Sequence, residues 1–260
     1  MCLQGVMGGK VGHLFIKPAA GEPMQPVETM RLIANRGIQG DIQANPSSPR
    51  QLLIVRQEDL DAFALTPGTL RENLVISGLS SIAIAPGARL DFNNGGAIRL
   101  TFYCEPCQQI KSWVPSLKQI EHKRGILGVA LTSGQIAPDT LVESTPKAFA
   151  PIPEQPYRRF LQLVARIPTG KVVTYQQIIT SIGVTRSYYR VLPLYLKKAS
   201  KETTFQYPIH RVVDSKGYLL SHIPGQSAQL AAEGLPLDAT QKSCLNLEIS
   251  IWKNPKIYGN

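Results

Sequence analysis

Along the first half of the chain, apolar positions fall in short alternating runs; along the second half they fall at helical spacing. Gln51-Leu52-Leu53-Ile54-Val55 and Ile98-Arg99-Leu100-Thr101-Phe102-Tyr103 are rich in apolar and β-favouring residues and predict strands. Asn93-Asn94-Gly95-Gly96 marks a turn between such runs, and Glu58-Asp59-Leu60-Asp61-Ala62-Phe63 predicts one short helix. This half is expected to be mainly β, folded as a barrel-like sheet.

In the second half, Phe160, Leu161, Val164 and Ile167 line one face of an expected helix that stops before Pro168-Thr169-Gly170. Thr174 is placed to cap a helix through Ile182 that Gly183 ends, and Ser187 to cap the next. Two short helices about a glycine turn, the second followed by Lys197 and Lys198, fit a helix-turn-helix. Pro193 falls within the second helix, where it removes a backbone donor, so a kink is expected there. Between the halves, Ser144 to Pro156 holds four prolines and is expected to be an extended linker. The expected organisation is residues 1–145, a proline-rich linker over 146–156, and a mainly helical domain over 157–260.

Composition narrows the class without choosing a function. The 260 residues are 43% hydrophobic with both charge signs, as in a globular protein, and no run approaches the roughly 20 apolar residues of a membrane helix. The opening Met1-Cys2-Leu3-Gln4-Gly5 lacks the pattern of a secretory signal, so a cytoplasmic location without membrane association is expected. Charge is uneven. Residues 1–147 carry 14 basic against 12 acidic side chains, a net of +2, whereas residues 148–260 carry 14 against 6, a net of +8. The basic half is suited to a polyanion, which charge alone does not identify.

Cys2, Cys104, Cys107 and Cys244 are too few for a disulfide framework in a chain of this length. Cys104-Glu105-Pro106-Cys107 is a C-x-x-C, but its flanks do not read as a βαβ unit, and a zinc site would need ligands from scattered residues such as His13, His122 and Cys2. A buried pair of thiols is the alternative.

Ordered pieces of the second half resemble the O6-alkylguanine-DNA alkyltransferases: Ile167 to Gln177, Tyr188-Tyr189-Arg190-Val191, Pro208 to Val213, Ser215-Lys216-Gly217 and Leu230 to Gly234. In that family a Pro-Cys-His-Arg-Val segment carries the cysteine that takes the alkyl group; here the segment is Pro208-Ile209-His210-Arg211-Val212. Isoleucine has no lone pair to attack an alkyl carbon, so transfer at Ile209 is chemically excluded. The resemblance therefore implies an alkyltransferase-like, winged helix-turn-helix domain that flips and reads alkylated guanine in duplex DNA and hands the lesion to a repair protein. It implies that Arg190 fills the vacated stack, that Tyr175 presses on the rotating phosphate, and that Lys197 and Lys198 meet the backbone. Tyr175, Pro208, Ile209, His210, Arg211 and Glu233 are the expected lesion pocket, with His210 and Glu233 as a hydrogen-bonded brace or as base contacts and Arg211 as a fork onto carbonyls or a carboxylate. No cofactor is implied for this half.

Pieces of the first half resemble the MOSC domain: Gly37 to Asp41, Arg50 to Ile54, Arg71-Glu72-Asn73-Leu74, Glu105-Pro106-Cys107 and Arg124-Gly125. The resemblance implies a β-rich fold, Cys107 as a sulfur carrier or molybdenum ligand, and Arg50, Arg124 and the Gly40 turn as binders of an anionic molybdenum–pterin phosphate. Pyridoxal phosphate binding is a further association of the family. Histidines common after the Gly-Asp turn are missing, with Gln43 in that area. The competing expectation is a MOSC-type reductase or sulfur-transfer module with a degenerate DNA-binding passenger. A nonspecific DNA binder is the third, recognisable by steep salt dependence.

Overall fold

The computed structural model describes residues 7–235, 244–245 and 250–253. They form two compact units, one ending at Ile152 and one starting at Pro153.

In the first unit the strands are β1 (Met7–Ile16), β2 (Gln25–Pro26), β3 (Met30–Ile33), β4 (Gly37–Ile38), β5 (Leu52–Arg56), β6 (Leu74–Ser77), β7 (Arg89–Phe92), β8 (Ala97–Tyr103), β9 (Ile126–Thr132), β10 (Gly134–Ile136) and β11 (Leu141–Thr145). One short helix, α1 (Gln57–Ala62), follows β5. Seven strands run in the order β11-β7-β8-β9-β5-β6-β1, and β1 pairs back onto β11, closing a barrel without free edges. Every pairing around it is antiparallel except β5 with β6. β10, β3 and β4 form a separate small sheet.

The alternation in the sequence is the cause of this shape. In β11, Val142 and Ser144 point inward and their neighbours outward, while β8 is buried almost throughout because both its faces are covered. Arg99 lies inside that buried stretch. It donates to the Ala150 carbonyl at 2.9 Å, and its guanidinium sits 4.6 Å from the Phe149 ring centre. The first part of the proline-rich stretch is therefore packed on the barrel, with Ile152 buried, rather than running free as an extended linker.

The second unit holds α2 (Pro156–Val164), β12 (Val173–Thr174), α3 (Tyr175–Ile182), α4 (Leu192–Ala199), β13 (Val212–Val213) and α5 (Gln226–Ala232). Pro156 opens α2, where no backbone donor is needed. The helix ends at Val164 and buries Arg159, Phe160, Leu163 and Val164. Leu163, not Leu161, completes its inner face, and Ile167 is buried from the loop beyond.

The expected cap at Thr174 is present in full. Its hydroxyl accepts from the Gln177 amide at 3.2 Å, and the Gln177 side chain accepts from the Thr174 amide at 2.9 Å. Gly183 ends α3 in the left-handed conformation, φ 66°, which glycine adopts without strain. Thr174→Ala is expected to cost about 1 kcal/mol in urea unfolding followed by helical circular dichroism.

Two expectations about the next helix are corrected. Ser187 caps nothing; Arg186 to Arg190 form a 3₁₀ turn, and the Ser187 hydroxyl pairs with Thr185 at 2.7 Å. Pro193 produces no kink, because α4 begins at Leu192 and its second position leaves the backbone donor unused in any case.

Candidate functional site

In the first unit, a cavity of about 170 Å³ opens beside β5 and β9 and is lined by Lys17, Arg50, Arg71, Cys104 and Arg124 among others. It continues into a wider groove of about 760 Å³ that shares Lys17, Gln43, Arg71 and Gln109 and adds the half-exposed Trp113. Two guanidinium groups converge on one sulfur: Arg50 Nη2 lies 3.7 Å from Cys104 Sγ, and Arg124 Nη1 makes a short contact with the same atom. Cys104 is 3% exposed. Cys107, the thiol favoured from the sequence, is half-buried before a 3₁₀ turn and is not part of the cavity lining.

The flanking motifs build this cavity. Asp41 accepts from the amides of Lys17 and Gln43, both at 2.8 Å, and from Asn73 Nδ2 at 2.9 Å, so its side chain staples the Gly-Asp turn to the barrel. Asn73 also donates to the Phe15 carbonyl and accepts from the Leu53 amide, joining β1, β5 and the approach to β6. Arg71 sits at φ 62° and its guanidinium bonds Gln109 in a short contact; a side chain held at positive φ is a strained position. Gly125, at φ 110°, lets the chain turn from Arg124 into β9, where a Cβ would lie 2.5 Å from the Ile54 carbonyl.

Glu72 is fully buried and one of its oxygens accepts from the Gly68 amide. Burial pushes its carboxyl up, against the lowering effects of backbone donors and Arg124. The cavity presents four cationic side chains against one carboxylate, Asp41, already fully engaged, so its lining is net positive around a thiol. Among the described residues no group of three or more His, Cys, Asp or Glu side chains converges on a common point.

In the second unit the loop at Pro208 to Arg211 is held from two sides. Glu233 accepts from His210 Nε2 at 2.8 Å, from Arg211 Nη2 at 2.6 Å and from the Gly170 amide at 3.2 Å. Arg211 also donates to the Ile167 carbonyl at 2.6 Å and to the Thr169 hydroxyl at 3.0 Å. Burial alone would raise the Glu233 carboxyl, but the hydrogen bonds from Arg211, His210 and Gly170 outweigh it and hold it at about 2. On the other side Gln226, 3% exposed, donates to the carbonyls of His210 and Val212 at 2.9 and 2.7 Å. Ile209 and Pro208 are half-buried on this fixed loop.

Tyr175 opens α3 with its hydroxyl buried and without a partner among the described residues. Burial, aided by the charge of Asp214, pushes the phenol up to about 12, so the hydroxyl stays a donor. It points inward and is not presented to solvent. Arg190 ends the 3₁₀ turn, exposed and without a partner among the described residues. Lys197 and Lys198 are exposed in the last turn of α4, with the Lys198 ammonium 4.1 Å over the Tyr157 ring.

Two family models match these units. The MOSC domain matches residues 42–139, and the DNA binding domain of 6-O-methylguanine DNA methyltransferase matches residues 155–235. The chain joins a MOSC domain to an alkyltransferase-like DNA-binding domain.

Among solved structures, the YuaD protein from Bacillus subtilis aligns at 20% identity over 55% of this chain and 98% of its own, with a TM-score of 0.48. YiiM from Escherichia coli aligns at 14% identity over 76% of this chain and 98% of its own, with a TM-score of 0.43. S. pombe Atl1, in complex with damaged DNA containing O6-carboxymethylguanine, aligns at 28% identity over 38% of this chain and 94% of its own, with a TM-score of 0.33. Among curated protein sequences none matches. No described helix is long and apolar enough to cross a membrane.

Sequence reasoning gives no site role to Lys17 or Arg71 in the MOSC domain or to Gln226 in the alkyltransferase-like domain, and it weighs Cys104 only as one thiol of a C-x-x-C pair. For Cys104 a signal existed: side chains alternate sides along an extended segment, so Tyr103 and Cys104 had to face opposite ways. Lys17 and Gln226 carry no local pattern that announces their partners.

Proposed function

We propose that the alkyltransferase-like domain reads O6-alkylguanine in duplex DNA by taking the base out of the stack, and leaves the alkyl group in place. The observation that carries this reading is the loop at Ile209: its support from Glu233, His210, Arg211 and Gln226 is complete, while the side chain in the nucleophile's place is a hydrocarbon. A relic under no constraint has no need of a fully satisfied network around an empty role. Lesion binding without repair would mark the site for a repair protein. The test is binding to a duplex carrying O6-methylguanine and to the unmodified duplex at matched salt, with the mass of the recovered protein. Preference for the lesion with unchanged mass supports the reading. Equal binding removes it, and a steep salt slope with equal binding indicates a nonspecific DNA binder.

For the MOSC domain we propose an anionic sulfur or molybdenum–pterin ligand at the Cys104 cavity. The donor set fits: a sulfur suits a soft metal or a carried sulfur atom, and Lys17, Arg50, Arg71 and Arg124 suit a phosphate or oxoanion. A molybdenum–pterin group, when bound, supplies two-electron redox chemistry; the chain supplies the thiol and the cationic walls. Protein purified from molybdate-supplied cells is expected to carry molybdenum or sulfane sulfur that Cys104→Ser loses and Cys107→Ser retains. The opposite pattern would return the role to Cys107.

A further inference from the structure

A second cavity of the MOSC domain, about 430 Å³, lies on the other side of the wall that carries the Cys104 cavity. Neighbouring residues are divided between the two: Leu53, Cys104, Arg124 and Leu127 line the first, and Ile54, Tyr103, Gly125 and Ile126 line the second. The alternation of extended backbone causes this. The volume falls within the range of small-molecule pockets, about 300–1,000 Å³.

The polar groups of this cavity are unevenly satisfied. Its cations are engaged: Arg56 donates to the Leu79 carbonyl at 2.9 Å and faces Glu58 at 3.4 Å, and the Lys123 ammonium rests 5.6 Å from the Phe63 ring centre. Of its carboxylates, Glu58 accepts from the Gly78 amide at 2.9 Å, whereas Asp59 has no comparable donor among the described residues. The Asp59 side chain is 16% exposed, and its ion-pair partner among the described residues, Arg56, stands at 3.6 Å, beyond a good hydrogen bond. Burial pushes the Asp59 carboxyl up by more than the charges of Arg56 and Lys123 lower it, as expected of an acceptor short of donors. Beside it is a flat platform. Tyr103 packs against the barrel core and carries His122 stacked at 4.6 Å and 17°, with the exposed imidazole as the outermost ring.

We infer that this cavity binds a flat nitrogen heterocycle of the guanine type, its paired N–H donors on Asp59 and its ring on His122. Adjacent ring and exocyclic N–H groups match the two oxygens of one carboxylate in a plane. The apolar wall of Ile54, Ile84 and Ile126 favours a ring over a flexible alkyl cation. All of its lining residues belong to the MOSC domain, and Cys104 is not among them.

Calorimetric titration of the full-length protein with guanosine, and separately with inosine, tests it. Inosine lacks only the exocyclic amino group. Saturable guanosine binding at or below about 1 mM is expected, with inosine, Asp59→Asn and His122→Ala each weakening it about tenfold. Absence of guanosine binding in the wild type, equal binding of inosine, or insensitivity to both cavity substitutions overturns the assignment. The inosine comparison needs no variant, so it stands even if a substitution disturbs folding.

Discussion

Arg190→Ala is expected to weaken binding to a duplex carrying O6-methylguanine by about ten- to a hundredfold, and binding to the unmodified duplex by no more than about threefold. Unstacking a nucleotide costs a few kcal/mol, and a side chain that enters the vacated space offsets part of that cost only when a base has left. A cation that merely touches phosphate assists both duplexes alike and lowers the salt slope by about one unit when removed. Arg190 is suited to the first role. It stands exposed at the end of a 3₁₀ turn, directly before α4, and no acceptor among the described residues engages its donors. Lys198 differs, since its ammonium lies over Tyr157. Fluorescence anisotropy on both duplexes at two salt concentrations separates the roles. A parallel loss on the two duplexes would make Arg190 a backbone contact and leave the proposed base flipping without its wedge.

The parts of this molecule that were legible in its sequence are those governed by local rules. The capping box at Thr174 and Gln177, the stop at Gly183, the strand through Ile98 and the short helix after β5 each follow from a few neighbouring residues. Pro193 was misread because a proline's effect depends on its position in the helix, and the start of α4 is set by the 3₁₀ turn before it. Arg99 reads as a polar break in a strand, yet it is buried under Phe149, fifty residues later in the chain. The same distance problem hid the cavity thiol. Cys104 acquires its character from Arg50 and Arg124, which only barrel closure brings together, whereas Cys107 stands out in sequence for following a proline. Motif recognition located both domains; which side chain of a motif faces the cavity was a matter of strand alternation and backbone sign, as at Arg71.

Glu233→Ala is expected to destabilise the alkyltransferase-like domain by about 3 kcal/mol, because it strands a mostly buried guanidinium. Arg211 and Glu233 are each 14% exposed, and Glu233 also holds His210 and the Gly170 amide. Glu233→Gln keeps the shape and loses the charge, so about half of that loss is expected. The pH dependence gives an independent reading. The folded carboxyl lies at about 2 against an ordinary 4.5. A depressed folded value means that the contribution is complete above about pH 4.5 and disappears as pH falls towards 2, amounting to roughly 2–3 kcal/mol. Wild-type protein is therefore expected to lose stability through that window faster than Glu233→Gln, whose side chain does not titrate. Parallel curves would show that the network adds no net stability, and His210 and Arg211 would then be sought as contacts to the flipped base. A converging pair of curves instead assigns them to holding Ile209 in place, which is the rigidity a reader needs when no covalent bond retains its ligand.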